Sequence, residues 1–90
     1  MEKKIICFVN LFKANARVYT LNEDDSEQVY IAEVPVDTMT HSLAEIGTVN
    51  NINKIILIGA PTYSKELVPD ILEYAKVKYN NNDLIVEVME

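Results

Sequence analysis

Apolar positions follow three rhythms along this chain, and each rhythm predicts a different kind of element. Ile5-Ile6-Cys7-Phe8-Val9 is apolar on successive residues, the pattern of a strand covered on both faces. Lys54-Ile55-Ile56-Leu57-Ile58 repeats that pattern. Residues 16–21 and 28–34 are rich in β-branched and aromatic side chains, and Asn22-Glu23-Asp24-Asp25-Ser26 separates them, which predicts a hairpin. A turn centred on Asp24-Asp25 pairs Tyr19 with Tyr30 and Val18 with Ile31. One face of that hairpin then carries Val18, Thr20, Val29 and Ile31, and the other Arg17, Tyr19, Leu21, Tyr30 and Ala32.

The third rhythm is helical. Met39, Leu43 and Ile46 recur at helix spacing after Pro35, with Asp37 or Thr38 as the cap and Gly47 as the expected end. Leu67, Val68, Ile71, Leu72 and Ala75 form a second apolar stripe, with Ser64 as the expected N-cap and Asn80-Asn81-Asn82 as the stop. Pro69 costs this helix one backbone hydrogen bond unless the regular part begins there. Residues 84–89 read as the last strand. The order is β-β-β-α-β-α-β in a single α/β domain spanning residues 1–90, without internal repeat or linker. Three leading strands suit an antiparallel meander, and two strands each reached through a helix suit parallel pairing.

This order resembles the ribonuclease H-like fold, shared by nucleases, resolvases and the half-domains of actin-like ATPases. The resemblance covers nearly the whole chain and concerns topology rather than motif. It implies a mixed five-stranded sheet of order 3-2-1-4-5 with both helices on one face. It also implies where chemistry would stand. The nucleases of this fold hold two metal ions with carboxylates from the first strand, the first helix and the end of the fourth strand. Here Asn10 stands at the first place, Gly59-Ala60 at the last, and only Glu45 on the first helix could match. One carboxylate does not hold two metals. The actin-like enzymes use an acid and a glycine-rich phosphate turn after the first strand, where this chain has Asn10-Leu11-Phe12-Lys13. Neither nuclease nor ATPase activity is expected.

Composition narrows the classes further. The net charge is −6, with a single arginine, Arg17, and scattered lysines, so sequence-independent nucleic-acid binding is not expected. No apolar run approaches the length of a membrane span, and Met1-Glu2-Lys3-Lys4 with its following apolar residues reads as a strand rather than a leader. The lone Cys7 lies inside that strand, which excludes an intrachain disulfide and fits a reducing, cytoplasmic setting. His41 is the sole histidine, so histidine-cluster metal sites are excluded and a Cys7–His41 nucleophile pair is the one formal possibility. No catalytic residue, metal or cofactor is expected.

Two loops remain as candidates. Gly59, Thr62, Tyr63 and Ser64 lie at the carboxyl end of a parallel strand, where ligands bind in open α/β sheets, although the glycines of a phosphate-binding fingerprint are missing. Glu23, Asp24, Asp25 and Glu27 form an acidic hairpin tip, either a solvated turn or a charge mimic for a basic partner. The topology itself points to a surface. Right-handed crossovers place both helices on the same face, and the chain stops after the last strand, so the opposite face is expected to lie bare. That face should present alternate residues of the first and fourth strands with Arg17, Tyr19, Leu21 and Tyr30. The expected function is a non-enzymatic protein-interaction module, a small bacterial or phage accessory or inhibitor protein. Its partner would be another protein or a second copy forming a homodimer, engaged through the sheet face or through Asp24 and Asp25. The alternative is a small-ligand or nucleotide-binding domain using residues 59–64.

Overall fold

The computed structural model describes residues 3–22, 24 and 26–89. Five strands and two helices follow in the expected order: β1 (Lys3–Asn10), β2 (Asn15–Asn22), β3 (Gln28–Pro35), α1 (Met39–Val49), β4 (Lys54–Ile58), α2 (Pro61–Tyr79) and β5 (Ile85–Met89). They form one mixed sheet of order β3-β2-β1-β4-β5. The first three strands are antiparallel, and β4 runs parallel to both β1 and β5. The expected fold class and strand order therefore hold.

Strand alternation divides the central pair into two sets. Ile5, Cys7 and Val9 of β1 and Ile55 and Leu57 of β4 enter one buried cluster with Met39, Leu43 and Ala44 of α1 and Ile71 and Ala75 of α2. Both helices thus lie on the same side of the sheet. Removing each large aliphatic side chain of this layer from water contributes about 1.5–3 kcal/mol, which is what holds α1 and α2 against the strands. Ile6 and Ile56 are also buried, yet they stand outside that cluster because they point the other way.

Local details depart from the sequence reading where neighbouring backbone intrudes. Tyr19 pairs with Tyr30 as expected, but Val18 pairs with Ala32, not Ile31, because the β2–β3 register shifts between Val18 and Tyr19. The bulge inserts one residue in β3 and lets both Ile31 and Ala32 pack against the core. Ala32 therefore leaves the face on which alternation had placed it. Gly47 does not end α1, which continues to Val49. It is buried, and a Cβ there would stand 3.1 Å from the Ile52 carbonyl oxygen. Its role is close approach rather than termination. Thr38 stands at the N-cap of α1 without a side-chain cap bond; its Oγ1 donates to the Pro35 carbonyl at 3.3 Å.

The start of α2 differs most. Ser64 is not the N-cap: the helix begins three residues earlier at Pro61, with Ala60 at the cap in the left-handed region. Proline suits the first turn, where its missing N–H has no partner to lose. Pro69 lies inside the helix, which runs unbroken through it. Asn80 closes α2 in the left-handed conformation, consistent with the expected stop.

Gly59 is the tighter of the two glycine positions. Its φ is +93°, and a Cβ there would come within 2.7 Å of the Val9 carbonyl oxygen on β1. Replacing Gly59 with alanine is expected to cost at least about 1–3 kcal/mol, from the backbone conformation alone. Urea unfolding of the variant measures that loss.

Candidate functional site

The side of the sheet opposite the helices carries the most distinctive surface. Its residues follow from register. On β1 they are Lys4, Ile6, Phe8 and Asn10; on β2, Asn15, Arg17, Tyr19 and Leu21. Tyr30 and Glu33 continue it on β3, Lys54, Ile56 and Ile58 on β4, and Ile85, Glu87 and Met89 on β5. No helix among the described residues lies over them, because both helices pack on the other side.

An aromatic row crosses this face. Phe8 and Tyr19 meet edge to face with ring centroids 5.6 Å apart, and Tyr19 meets Tyr30 edge to face at 5.5 Å. Three rings on three adjacent strands are held in mutual register by cross-strand pairing and by the favourable edge-to-face quadrupole geometry. Ile6 and Ile56 sit beside them at 5% and 6% exposure, sheltered by their neighbours on the face. The outer members are open: Phe8 is 38% exposed, Tyr30 55%, Ile85 54% and Met89 54%. Arg17 and Leu21 were expected on this face and lie on it with Tyr19 and Tyr30.

Charge frames the row on both flanks. Arg17 Nε donates to Glu33 Oε1 at 3.3 Å on the β2–β3 side. Lys54 Nζ stands 3.6 Å from Glu87 Oε1 on the β4–β5 side. The hydrogen bond and charge of Glu33 raise the Arg17 pKa and keep the guanidinium charged. Both pairs are exposed, so each contributes little to stability. Their effect is to set the electrostatic border of the face.

The acidic hairpin tip is separate from this row. Asp24 accepts hydrogen bonds from Ser26, including its backbone N–H at 3.0 Å, and these hold its carboxyl below the usual range. Glu27 Oε2 accepts from Asn22 Nδ2 at 3.3 Å. Glu23 and Asp25 lie outside the described residues.

The turn after β4 divides the candidate ligand loop. Ser64 is fully buried, and its hydroxyl donates to the Gly59 carbonyl at 2.9 Å, locking the strand-to-helix turn from inside. It is therefore unavailable to a ligand, contrary to expectation. Thr62 is exposed and Tyr63 half-buried. With Leu11, Ala60, Pro61 and Glu66 they line a cleft of about 300 Å³.

The positions that hold metal in the nucleases of this topology are now located. Asn10 Oδ1 accepts the Lys13 backbone N–H at 3.2 Å, closing the turn after β1. Gly59 cannot be exchanged for an acid without driving a Cβ into Val9. Glu45 is exposed on α1. Among the described residues, no group of three or more histidine, cysteine or acidic side chains could hold a metal. Cys7 and His41 do not form a pair. Cys7 is sealed in the core, whereas His41 is exposed and stacks on Tyr74 of α2 at 4.2 Å. That stack borders an open cleft with Asp37, Asp70 and Glu73, a juxtaposition that only helix packing creates and that no sequence spacing announces.

No family model and no curated protein matches this chain. Solved structures do. A Bacteroides thetaiotaomicron protein with an actin-like ATPase fold and unknown function matches with a TM-score of 0.62 and 14% identity, over 98% of this chain and 32% of that one. Archaeoglobus fulgidus Pelota matches with a TM-score of 0.60 and 15% identity, over 98% of this chain and 26% of that one. At such identities the likeness shows the fold alone, and that fold is the actin-like, ribonuclease H-like one that the strand order implied. The chain spans about a third or less of either neighbour's length. No described helix is long and apolar enough to cross a membrane.

Burial pushes the Cys7 thiol up to about 12, so the thiolate that nucleophilic chemistry needs is absent near neutrality. The folded state holds this proton more tightly than the unfolded chain, whose thiol titrates near 9.0. The contribution of Cys7 to stability is therefore complete below that value and is lost as pH rises through about 12. Urea midpoints are expected to fall across that alkaline window, less steeply for Cys7→Ala. A thiol reagent should modify Cys7 only after denaturant is added.

Proposed function

We propose that this chain is a non-enzymatic protein-interaction module whose docking surface is the open face of the sheet. The observation that supports this reading is the Phe8–Tyr19–Tyr30 row, ordered by edge-to-face contacts yet left partly in water at both Phe8 and Tyr30. A contiguous apolar patch with charged borders is the composition of a docking surface: aromatic anchors at the centre, a polar rim around them. A rigid aromatic row loses little side-chain entropy on binding, which favours affinity. A role as a small accessory or inhibitor protein fits such a surface.

The acidic hairpin is the rival surface within the same reading, and salt separates the two. Docking through Asp24 weakens as ionic strength rises, whereas docking through the aromatic row does not. Size-exclusion chromatography of an extract from the native host tests the proposal. The chain is expected to elute in a complex well above 10.2 kDa, and Tyr30→Asp to elute alone. Elution of the wild-type chain alone would sink the reading.

A ligand-binding role for the loop after β4 has one supporting feature, the cleft lined by Leu11, Thr62 and Tyr63. Glu66 borders that cleft and opposes an anion, and Pro61 supplies no N–H to a phosphate at the helix start. A thermal-shift screen against nucleotides should accordingly leave the melting temperature unchanged. A nucleotide at ~100 times its dissociation constant would add ~2.7 kcal/mol and be plainly visible.

A further inference from the structure

We infer that the occupant of the open sheet face is a second copy of this chain, stacked face to face. The inference rests on the docking reading above and names its partner. Charge is the first support. The chain has 14 acidic and 8 basic side chains, so two copies repel wherever average surfaces meet. The open face departs from that average: register places Lys4, Arg17 and Lys54 on it with only two carboxylates among the described residues, Glu33 and Glu87. Among the described residues, a second acidic chain therefore meets less repulsion on this face than over the acidic remainder of the surface.

The placement of those charges suits a two-fold contact. Arg17–Glu33 borders one flank and Lys54–Glu87 the other, so each flank carries both signs. A two-fold axis parallel to β1 lays the β2–β3 flank of one copy over the β4–β5 flank of its partner. A mixed-sign flank then meets a mixed-sign flank. Ile6, Phe8, Tyr19 and Ile56 of both copies meet at the centre.

Area is the second support. β1, β2 and β3 have 8 residues each, and β4 and β5 have 5. At a rise of ~3.3 Å per residue and ~4.8 Å between strands, the flat footprint is roughly 540 Å² per copy. Two copies cover roughly 1,100 Å² before side-chain relief is added, which clears the ~1,000 Å² that a specific interface requires.

Sedimentation equilibrium of the purified full chain at micromolar concentrations, with salt varied, tests the inference. The expected result is a species of twice 10.2 kDa that tightens as salt screens the repulsion between the two acidic bodies. Tyr30→Asp and Met89→Lys, on opposite edges of the face, should each weaken association by about tenfold or more, with circular dichroism unchanged. A monomer at every concentration overturns the second copy. In that case a complex persisting in native extract leaves the docking face intact with a different protein on it. A dimer indifferent to both substitutions, or one that salt dissociates, places the contact elsewhere and overturns the inference equally.

Discussion

The parallel pairing of β1 with β4 is the constraint from which the rest of this structure follows. Both strands are apolar on successive residues, and both helices lie on one side of the sheet they centre. On that side Ile5, Cys7, Val9, Ile55 and Leu57 are taken up by α1 and α2. On the other side Ile6 and Ile56 have no helix above them and are sheltered by their lateral neighbours on the sheet. Each large apolar side chain left in water forgoes about 1.5–3 kcal/mol. A domain of this size has little stability to spare. The aromatic row is the sheet's partial answer: register sets Tyr19 beside Ile6 and Phe8 beside Ile58, while Phe8 and Tyr30 stay partly in water.

The same pairing brings the chain at Gly59 against the Val9 carbonyl. Where the nucleases of this topology place an acid at the end of the fourth strand, the backbone here approaches β1 so closely that no side chain fits. Ala60 and Ser64 complete the turn, one in the left-handed region and the other bonded inward to the Gly59 carbonyl. The likeness to the Bacteroides protein and to Pelota is a likeness of fold alone.

Surface charge belongs to the same physical picture. Among the described residues, only Glu33 and Glu87 bring carboxylates to the open face, where Arg17 and Lys54 each meet one of them across a strand. Cross-strand pairing of opposite charges contributes little energy at such exposure. Its consequence is a balanced pair of charges on either flank of an apolar centre.

Element order, strand order and the Tyr19–Tyr30 pairing were legible in the sequence because each depends on local periodicity. Successive apolar residues marked β1 and β4, alternation brought Tyr19 opposite Tyr30, and the two helix-linked strands required parallel neighbours. Four features were decided by tertiary structure instead, each by contacts between residues distant in sequence or by a competing backbone bond. The β2–β3 bulge turned Ala32 toward the core. Close approach to Ile52 made Gly47 a packing residue within α1. The Gly59 carbonyl drew Ser64 inside, and the packing of α1 on α2 stacked His41 on Tyr74. Periodicity specifies which side of an element is apolar. Only the assembled backbone specifies how near another strand or helix comes, and that distance decides which side chains remain at the surface.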